Sequence, residues 1–484
     1  ENTAIGHQAL TADTKGQRNV AVGHGALSAQ NFTSATNSEN TAMGYNAGAT
    51  TTTADYNTLI GSFAGTSITT GSNNVMLGRF AGGGFDTEGN NLGIGRNALS
   101  GSINGGEYNV AIGNYTLDAL TSGDYNVAVG YQAGTDINSG EANTMIGNQA
   151  GQNLTSPAHN TLVGYIAGGA LTTGATNTAI GSLALDGCDT ESNNVAIGFA
   201  ALGGAVAGGE YNVAVGNYTL DALTSGDQTT ALGHNAATRL TTGNFCTYLG
   251  SEAGVQVTTG NHNVGIGYQS GGSEATSTGS ENTTLGNYAG FGITSGSSNT
   301  IIGYDCAHNI STGDYNIAIG LDAGTSGSPG GNITTGSSII ALGDENIGAC
   351  HIQTDWTVAS DQRDKTDFTA LDVGLDFIND LKPYTYKWDK RSKYGDKKAD
   401  DYDLNAQTPD GTHKEDWLDI GFKAQEVETL EKAAGYKIAE KTNLTTSLTE
   451  DGKQYGIKYS KFIPILVKAV QELSATVTTL QQEI

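Results

Sequence analysis

Asn126-Val127-Ala128-Val129-Gly130-Tyr131-Gln132-Ala133-Gly134 decides the fold, because the chain repeats it. The general form is Asn-(Val/Thr)-Ala-(Ile/Val/Leu/Met)-Gly-x-x-Ala-(Gly/Leu). Clean copies begin at Asn2, Asn19, Asn40, Asn57, Asn109, Asn126, Asn177, Asn194 and Asn316. The fixed glycine recurs at Gly113, Gly130, Gly147, Gly164, Gly181 and Gly198, a step of 17 residues. One short unit repeated at a fixed step cannot bury its own apolar face and must stack on its neighbours. The step is too short for helix pairs and predicts one coil of a parallel β-roll or β-solenoid, about twenty coils over residues 1–343.

Alternation along a strand puts Val110 and Ile112 on one face and Asn109, Ala111 and Gly113 on the other. The aliphatic face is expected to fill the coil. The Ala/Gly face is expected to stay open, small enough for another backbone to approach. Thr-(Thr/Ser)-Gly, ending at Gly71, Gly123, Gly174, Gly226, Gly243 and Gly260, reads as a turn at positive φ. Each coil then runs strand, turn, short strand, turn, with its asparagine in an amide ladder. The longer steps Gly23–Gly44, Gly267–Gly286 and Gly320–Gly343 read as bulged loops.

Composition separates two parts. The 70 glycines lack the triplet period of collagen and fit turn-dense β structure. Trp356, Trp388 and Trp417 all fall in the last third, and before residue 344 the only basic residues are Lys15, Arg18, Arg79, Arg96 and Arg239. Residues 344–359 therefore read as a connector between the repeats (1–343) and a different domain (360–484). A net charge of −26 argues against nucleic-acid binding, which needs a basic footprint. No apolar run approaches the 18 residues of a membrane span, so no membrane insertion is expected. Glu1 falls within a repeat, which implies further protein upstream.

The smaller motifs read as structure. Gly93-Ile94-Gly95-Arg96-Asn97-Ala98 imitates a dinucleotide fingerprint without the helix that must follow. Cys188, Cys246, Cys306 and Cys350 lack metal-site spacing, and His7, His24 and His234 share a register without forming a cluster. Tyr45, Tyr131, Tyr165, Tyr268 and Tyr304 follow the fixed glycine, with Tyr115, Tyr218 and Tyr288 one place on. They read as outward corner packing, with a sugar-stacking platform as the alternative. Asp401, Asp403 and Asn405 imitate the start of a calcium loop, but Ala406 and Thr412 stand where glycine and glutamate belong. No metal and no cofactor are expected, and no carboxylate pair suits a glycosidase.

After residue 360 the periodicity changes. Leu371, Leu375, Ile378 and Leu381 have helical spacing, stopped at Lys382-Pro383. Tyr384 to Trp388 alternates like a strand, residues 389–416 read as a loop, and Ala424 begins a helix. Gly456 to Tyr459 reads as a strand, and Ser460 as the cap of a last helix with Pro464 in its first turn. That helix, 461–484, carries a heptad seam of Ile463, Val470, Val477 and Ile484 with Leu466, Leu473 and Leu480, a coiled-coil signal.

The ordered series Ser360-Asp361-Gln362-Arg363-Asp364-Lys365, Leu381-Lys382-Pro383-Tyr384-Thr385-Tyr386, Gly421 to Val427, and Tyr459-Ser460-Lys461 leading into Ala469 to Leu473 resembles the endosialidase-type intramolecular chaperone that ends phage tail fibres and tailspikes. The repeats resemble the head β-rolls of trimeric autotransporter adhesins and phage fibres. These resemblances imply a homotrimer, with an α+β chaperone that guides folding of the β-rich part and then cuts itself free. Cleavage falls at Ala359–Ser360, with Ser360 and Lys365 as the dyad and Asp361 and Arg363 in support. That single-turnover step is the only catalysis implied. Lys423 departs from the family, which usually has an aliphatic residue there. A Ser nucleophile needs a base, which a buried lysine can supply. The implied protein is a phage tail fibre on the virion surface, assembled in the host cytoplasm. Its partners would be other virion proteins and a host-surface glycan or protein receptor. The alternatives are a bacterial trimeric surface adhesin, or a polysaccharide-degrading tailspike whose catalytic site lies outside these residues.

Overall fold

The computed structural model describes residues 1–102, 104–205, 207–353, 357–396 and 402–483. Trp356, Asp401 and Ile484, named above, lie outside the described residues. The chain divides into two compact units, Glu1–Ser297 and Ser298–Ile484.

In the first unit each coil contributes one three-residue strand, from Thr3–Ile5 to Thr283–Leu285. Successive strands pair parallel and in register: Val110, Ala111 and Ile112 lie against Val127, Ala128 and Val129, and these against Thr144, Met145 and Ile146. The fold is a parallel β-solenoid. The expected second strand is largely missing. Gly16–Gln17 pairs with Thr36–Asn37 beside one of the long steps, and Glu141–Ala158 and Val257–Ser277 are isolated bridges. Turns supply most of the rest of each coil.

The two strand faces are the reverse of the expectation. Ala111, Ala128, Ala179 and Ala196 are fully buried inside the coils. The flanking aliphatics point outward, with Leu77 41 %, Ile146 40 % and Ile180 40 % exposed. The interior is narrow, and the turns fill it with alanines such as Ala133, Ala150 and Ala167 and with Leu117, Leu120, Ile137 and Leu154. In several coils volumes compensate between the strand centre and the residue six places on, and where both are small, as Ala128 and Gly134, Leu117 and Met145 of the adjoining coils reach the space. Ala111 faces Leu117 and Gly93 faces Leu99, whereas Met145, Leu162 and Tyr248 are followed at that distance by Gly151, Gly168 and Gly254. A Cβ on Gly254 would stand 2.3 Å from the Tyr248 ring. Close packing tolerates neither the void nor the overlap.

The fixed glycine has two causes. Gly113 sits at φ +139°, and a Cβ there would lie 2.2 Å from the Gly130 carbonyl oxygen of the next coil. The backbone that approaches this face is thus the chain's own next coil. The turn glycine differs from the expectation: Gly123 is not at positive φ, and its Cβ would meet the Gly140 oxygen at 2.0 Å. The left-handed residue comes two places later, at Tyr125 with φ 57°. Such a conformation costs a non-glycine residue roughly 1–2 kcal/mol. The bond from Tyr125 N to Glu107 O, 3.1 Å, helps hold it.

The asparagine ladder is present and lies inside. Asn109 Oδ1 accepts from Asn126 N at 2.9 Å, and Asn126 Oδ1 from Asn143 N at 3.1 Å. Asn126 Nδ2 donates to Gly140 O at 2.8 Å. These bonds satisfy buried backbone groups that the tight turns would otherwise orphan. Thr229 and Cys246 take over the position farther along, and Thr229 Oγ1 still reaches Gly243 O at 3.2 Å.

The second unit begins with coils whose strands are Thr300–Ile302, Ile317–Ile319 and Ile340–Leu342. Its ladder runs from Asn299 to Asn316 and ends where Ile339 replaces asparagine, with Asn316 Oδ1 accepting from Ile339 N at 2.9 Å. Then come α1 (Leu375–Asp380), α2 (Ala424–Ala433) and α3 (Phe462–Glu483), around a core of Val373, Phe377, Val427, Phe462 and Ile465. Tyr384–Tyr386 pairs antiparallel with Asp419–Gly421, and Thr446–Leu448 with Tyr455–Ile457. Two expectations are corrected: α1 omits Leu371, and Ser460 lies within the 3-10 turn Tyr459–Lys461 rather than capping α3. On α3, Phe462, Ile465 and Ala469 are buried, while the seam residues Ile463, Leu466, Val470, Leu473, Val477 and Leu480 are exposed.

Candidate functional site

Ser360 follows an exposed stretch, residues 357–359, and precedes a single 3-10 turn, Gln362–Asp364. Asp361 begins that turn because its side chain accepts from Arg363 N at 2.9 Å. The carboxylate also grips the Arg363 side chain, with Nη2 to Oδ2 at 2.6 Å. This pairing with Arg363 holds the Asp361 carboxyl below its usual range, and the carboxylate raises Arg363 in return. The turn reverses the chain and brings Lys365 back to Ser360. Lys365 Nζ lies 2.5 Å from Ser360 Oγ and 3.3 Å from Ser360 O. The two residues, five apart, thus meet across a turn within one chain. Both are exposed in the isolated chain.

Lys423 begins α2. Its Nζ pairs with Glu426 Oε1 at 3.0 Å and lies 4.3 Å from the Tyr384 ring centre. The Tyr384 hydroxyl donates to Glu426 Oε2 at 2.9 Å. Lys423 thus ties α2 to the strand Tyr384–Tyr386.

Of the calcium-like residues, Asp403 Oδ1 pairs with Lys453 Nζ at 3.1 Å and Asn405 Oδ1 accepts from Arg391 Nη1 at 2.8 Å. Their oxygens are committed to cations of the chain itself. In the first unit the outward aromatics form columns. His7, His24, Tyr45, Phe63 and Phe80 follow one another at ring-centre spacings of 5.0, 5.3, 5.1 and 4.8 Å. Arg79 covers Phe80 at 4.6 Å. Three of these pairs are stacked and Tyr45 meets Phe63 edge-on, so the rings have little face left for a sugar. Corner packing is what this column displays.

Two features escaped the sequence reading. One is the outward aliphatic stripe, which the volume compensation between strand centre and turn could have exposed. The other is the hairpin between Thr446 and Ile457. It is anchored by the fully buried Glu431 of α2, which accepts from the Thr445 and Thr446 hydroxyls at 2.6 and 2.5 Å. Only spatial proximity reveals that link.

Residues 360–436 match the family model described as chaperone of endosialidase. Ser360 is the first matched residue and Lys423 lies inside the match. No curated protein and no solved structure matches the chain. A parallel β-solenoid with a chaperone-of-endosialidase segment behind it fits a tail-fibre-like protein with a C-terminal chaperone domain.

Proposed function

We propose that the chain belongs to a homotrimeric host-attachment fibre of a phage, folded by residues 360–484, which then release themselves by cutting the Ala359–Ser360 bond. The observation that carries the processing step is the 2.5 Å approach of Lys365 Nζ to Ser360 Oγ. As a free amine, Nζ takes the Ser360 hydroxyl proton. The oxygen then attacks the Ala359 carbonyl carbon. The Ala359–Ser360 C–N bond breaks as the nitrogen gains a proton, leaving an ester on Ser360 Oγ and a free α-amine. Water hydrolyses the ester to the Ala359 carboxylate and restores the hydroxyl. Asp361 and Arg363 hold the turn in shape.

A lysine serves as base only when its charged form is disfavoured, which burial achieves. The dyad is exposed in one chain, so its burial must come from neighbouring subunits. Cleavage then follows assembly. Two apolar surfaces support the trimer: the aliphatic stripe of the coils and the seam on α3. Contiguous exposed apolar patches of this kind mark association sites. The chaperone match supports a phage particle over a bacterial surface adhesin, and such a fibre would lie outside the cell once the virion is released. Host attachment is the work of such a fibre, and the receptor would be a cell-surface glycan or protein.

The test is the intact mass of folded wild type against Ser360→Ala and Lys365→Ala. Wild type should appear as two products, residues 1–359 and 360–484, and both variants as uncut chain in the same oligomer. Cleavage that survives Ser360→Ala would refute the dyad.

A further inference from the structure

A solenoid has open ends. Within the stacked coils, amides and hydroxyls of the Thr-(Thr/Ser)-Gly corners donate to a carbonyl one coil later. Thr121 N and Ser122 N both reach Asn138 O, at 2.7 and 2.9 Å, and Thr121 Oγ1 reaches it at 2.8 Å. Gly279 N reaches Thr294 O at 3.2 Å. The last coil, with its strand Ile340–Leu342, has the same corner at Thr334-Thr335-Gly336 and no later coil beneath it among the described residues. An unpaired β edge of this kind invites wrong pairing.

Glu450, at the tip of the hairpin, occupies that place. Its Oε2 accepts from Gly336 N at 2.7 Å and its Oε1 from the Thr335 hydroxyl. A Cβ on Gly336 would strike Oε2 at 2.4 Å, so the corner glycine is as necessary against this carboxylate as against a coil. Beside it, Gln454 Nε2 donates to Ser326 O at 3.1 Å and Ser328 O at 3.3 Å. The tip is held in advance: Thr449 N bonds to Gln454 O at 2.9 Å, Gln454 N to Thr449 Oγ1 at 3.0 Å, and Arg391 Nη2 to Lys453 O at 2.6 Å.

We propose that residues 446–457 form a coil-end recognition surface whose partner is the open end of this chain's own solenoid. Glu450 stands in for the carbonyl of the absent next coil, and Gln454 for its donors. The surface offers the first coil to form a ready template. The coils then zip from the C-terminal end towards the N-terminus. Stacked coils pair segments a whole coil apart, and such ordering is entropically costly before a neighbour exists. This inference rests on the chaperone reading of the domain but not on self-cleavage.

The experiment uses the full chain carrying Ser360→Ala, so that the domain stays attached whatever the fate of the dyad. Hydrogen exchange and refolding from guanidinium are measured with and without Glu450→Ala, and with the milder Glu450→Gln and Gln454→Ala. A charged hydrogen bond to a backbone amide is lost, so amides of 334–343 should exchange about tenfold faster in Glu450→Ala, with α1–α3 unchanged. Refolding should slow by about the same factor with little change in unfolding. Glu450→Gln should show a smaller effect in the same segment. Equal exchange at 334–343 in all variants would overturn the end-cap, and faster exchange with unchanged refolding would overturn its templating role. Should Glu450→Ala fail to fold, the two milder variants decide by the same criteria. Failure of the parent chain to need residues 360–484 at all would strike the chaperone reading instead, and a separate deletion shows that.

Discussion

The coils and the C-terminal domain solve the same problem in opposite ways. A coil keeps its polar ladder and the small centre of its strand inside, as Asn126 and Ala128 do, and turns the aliphatics that flank that centre outward. The C-terminal domain gathers Phe377, Val427 and Phe462 into a core and leaves outside a helical seam and the Ser360–Lys365 pair. A coil is complete only between two other coils. The domain has its own core and can order first. The proposed function draws on this difference: a domain that orders by itself would supply the stacked coils with an end, which repetition alone does not provide.

The sharpest way to break this comparison is to charge the two faces of one coil strand. Ala128→Glu buries an unpaired charge at a cost of several kcal/mol, and the coil should open. Limited proteolysis should then cut between residues 110 and 147. Ile112→Asp with Val129→Asp, on the outer face, should leave coils that fold but no longer associate, seen as a drop to monomer mass. If the outer pair opened the coil, or Ala128→Glu left it intact, the assignment of faces would be wrong.

A middle-sized effect tests the inner ladder. Asn126→Ala orphans the Gly140 carbonyl and the Asn143 amide, which together should cost about 2–4 kcal/mol. Thr229 shows that a hydroxyl can fill the position, so Asn126→Thr should lose less than half as much. Guanidinium midpoints would rank the two, and equal losses would reduce the ladder to packing.

The smallest effect is one of pH, and its sign differs between the regions. Burial raises the carboxyls of Asp118, Asp186 and Asp221 in the coils. A raised carboxyl contributes stability below its unfolded value, about 3.9, and loses it as pH climbs through its folded value. In the C-terminal domain the Leu375 amide lowers Glu472, Lys423 lowers Glu426 and the Asn405 amide lowers Asp403. Their contribution is present above about pH 4 and disappears as pH falls further. Lowering the pH from 7 towards the unfolded value of about 4 should therefore firm the coils, and pH 3 should loosen the domain. Exchange rates in each region follow this, and Asn at positions 118, 186 and 221 should abolish the gain in the coils.

Much of this was legible in the residues. The 17-residue step fixed the parallel stacking, the asparagine ladder followed from its constant place though its burial did not, and the spacing of Ser360 and Lys365 allowed a meeting across a turn. The strand faces were misread because alternation names two faces without saying which is inside. Hydrophobicity favoured Ile112 over Ala111, whereas a narrow coil has room only for the alanine. The exchange of Ala111–Leu117 for Met145–Gly151 points to a shared interior, but Ala128–Gly134 blurs the pattern, because there Leu117 and Met145 of the adjoining coils fill the space. Gly123 misled for a related reason: contact with the next coil, and not a turn at positive φ, excludes its side chain. Glu450 carried no signal, because its partner is more than a hundred residues away and it mimics a backbone carbonyl.

One measurement bears on the central claim most directly: native mass spectrometry of the wild-type chain after folding. The account expects a trimer of residues 1–359, with 360–484 released. A monomer of the uncut chain would contradict it, leaving the outward aliphatic stripe without an owner and the Ser360–Lys365 pair without a task.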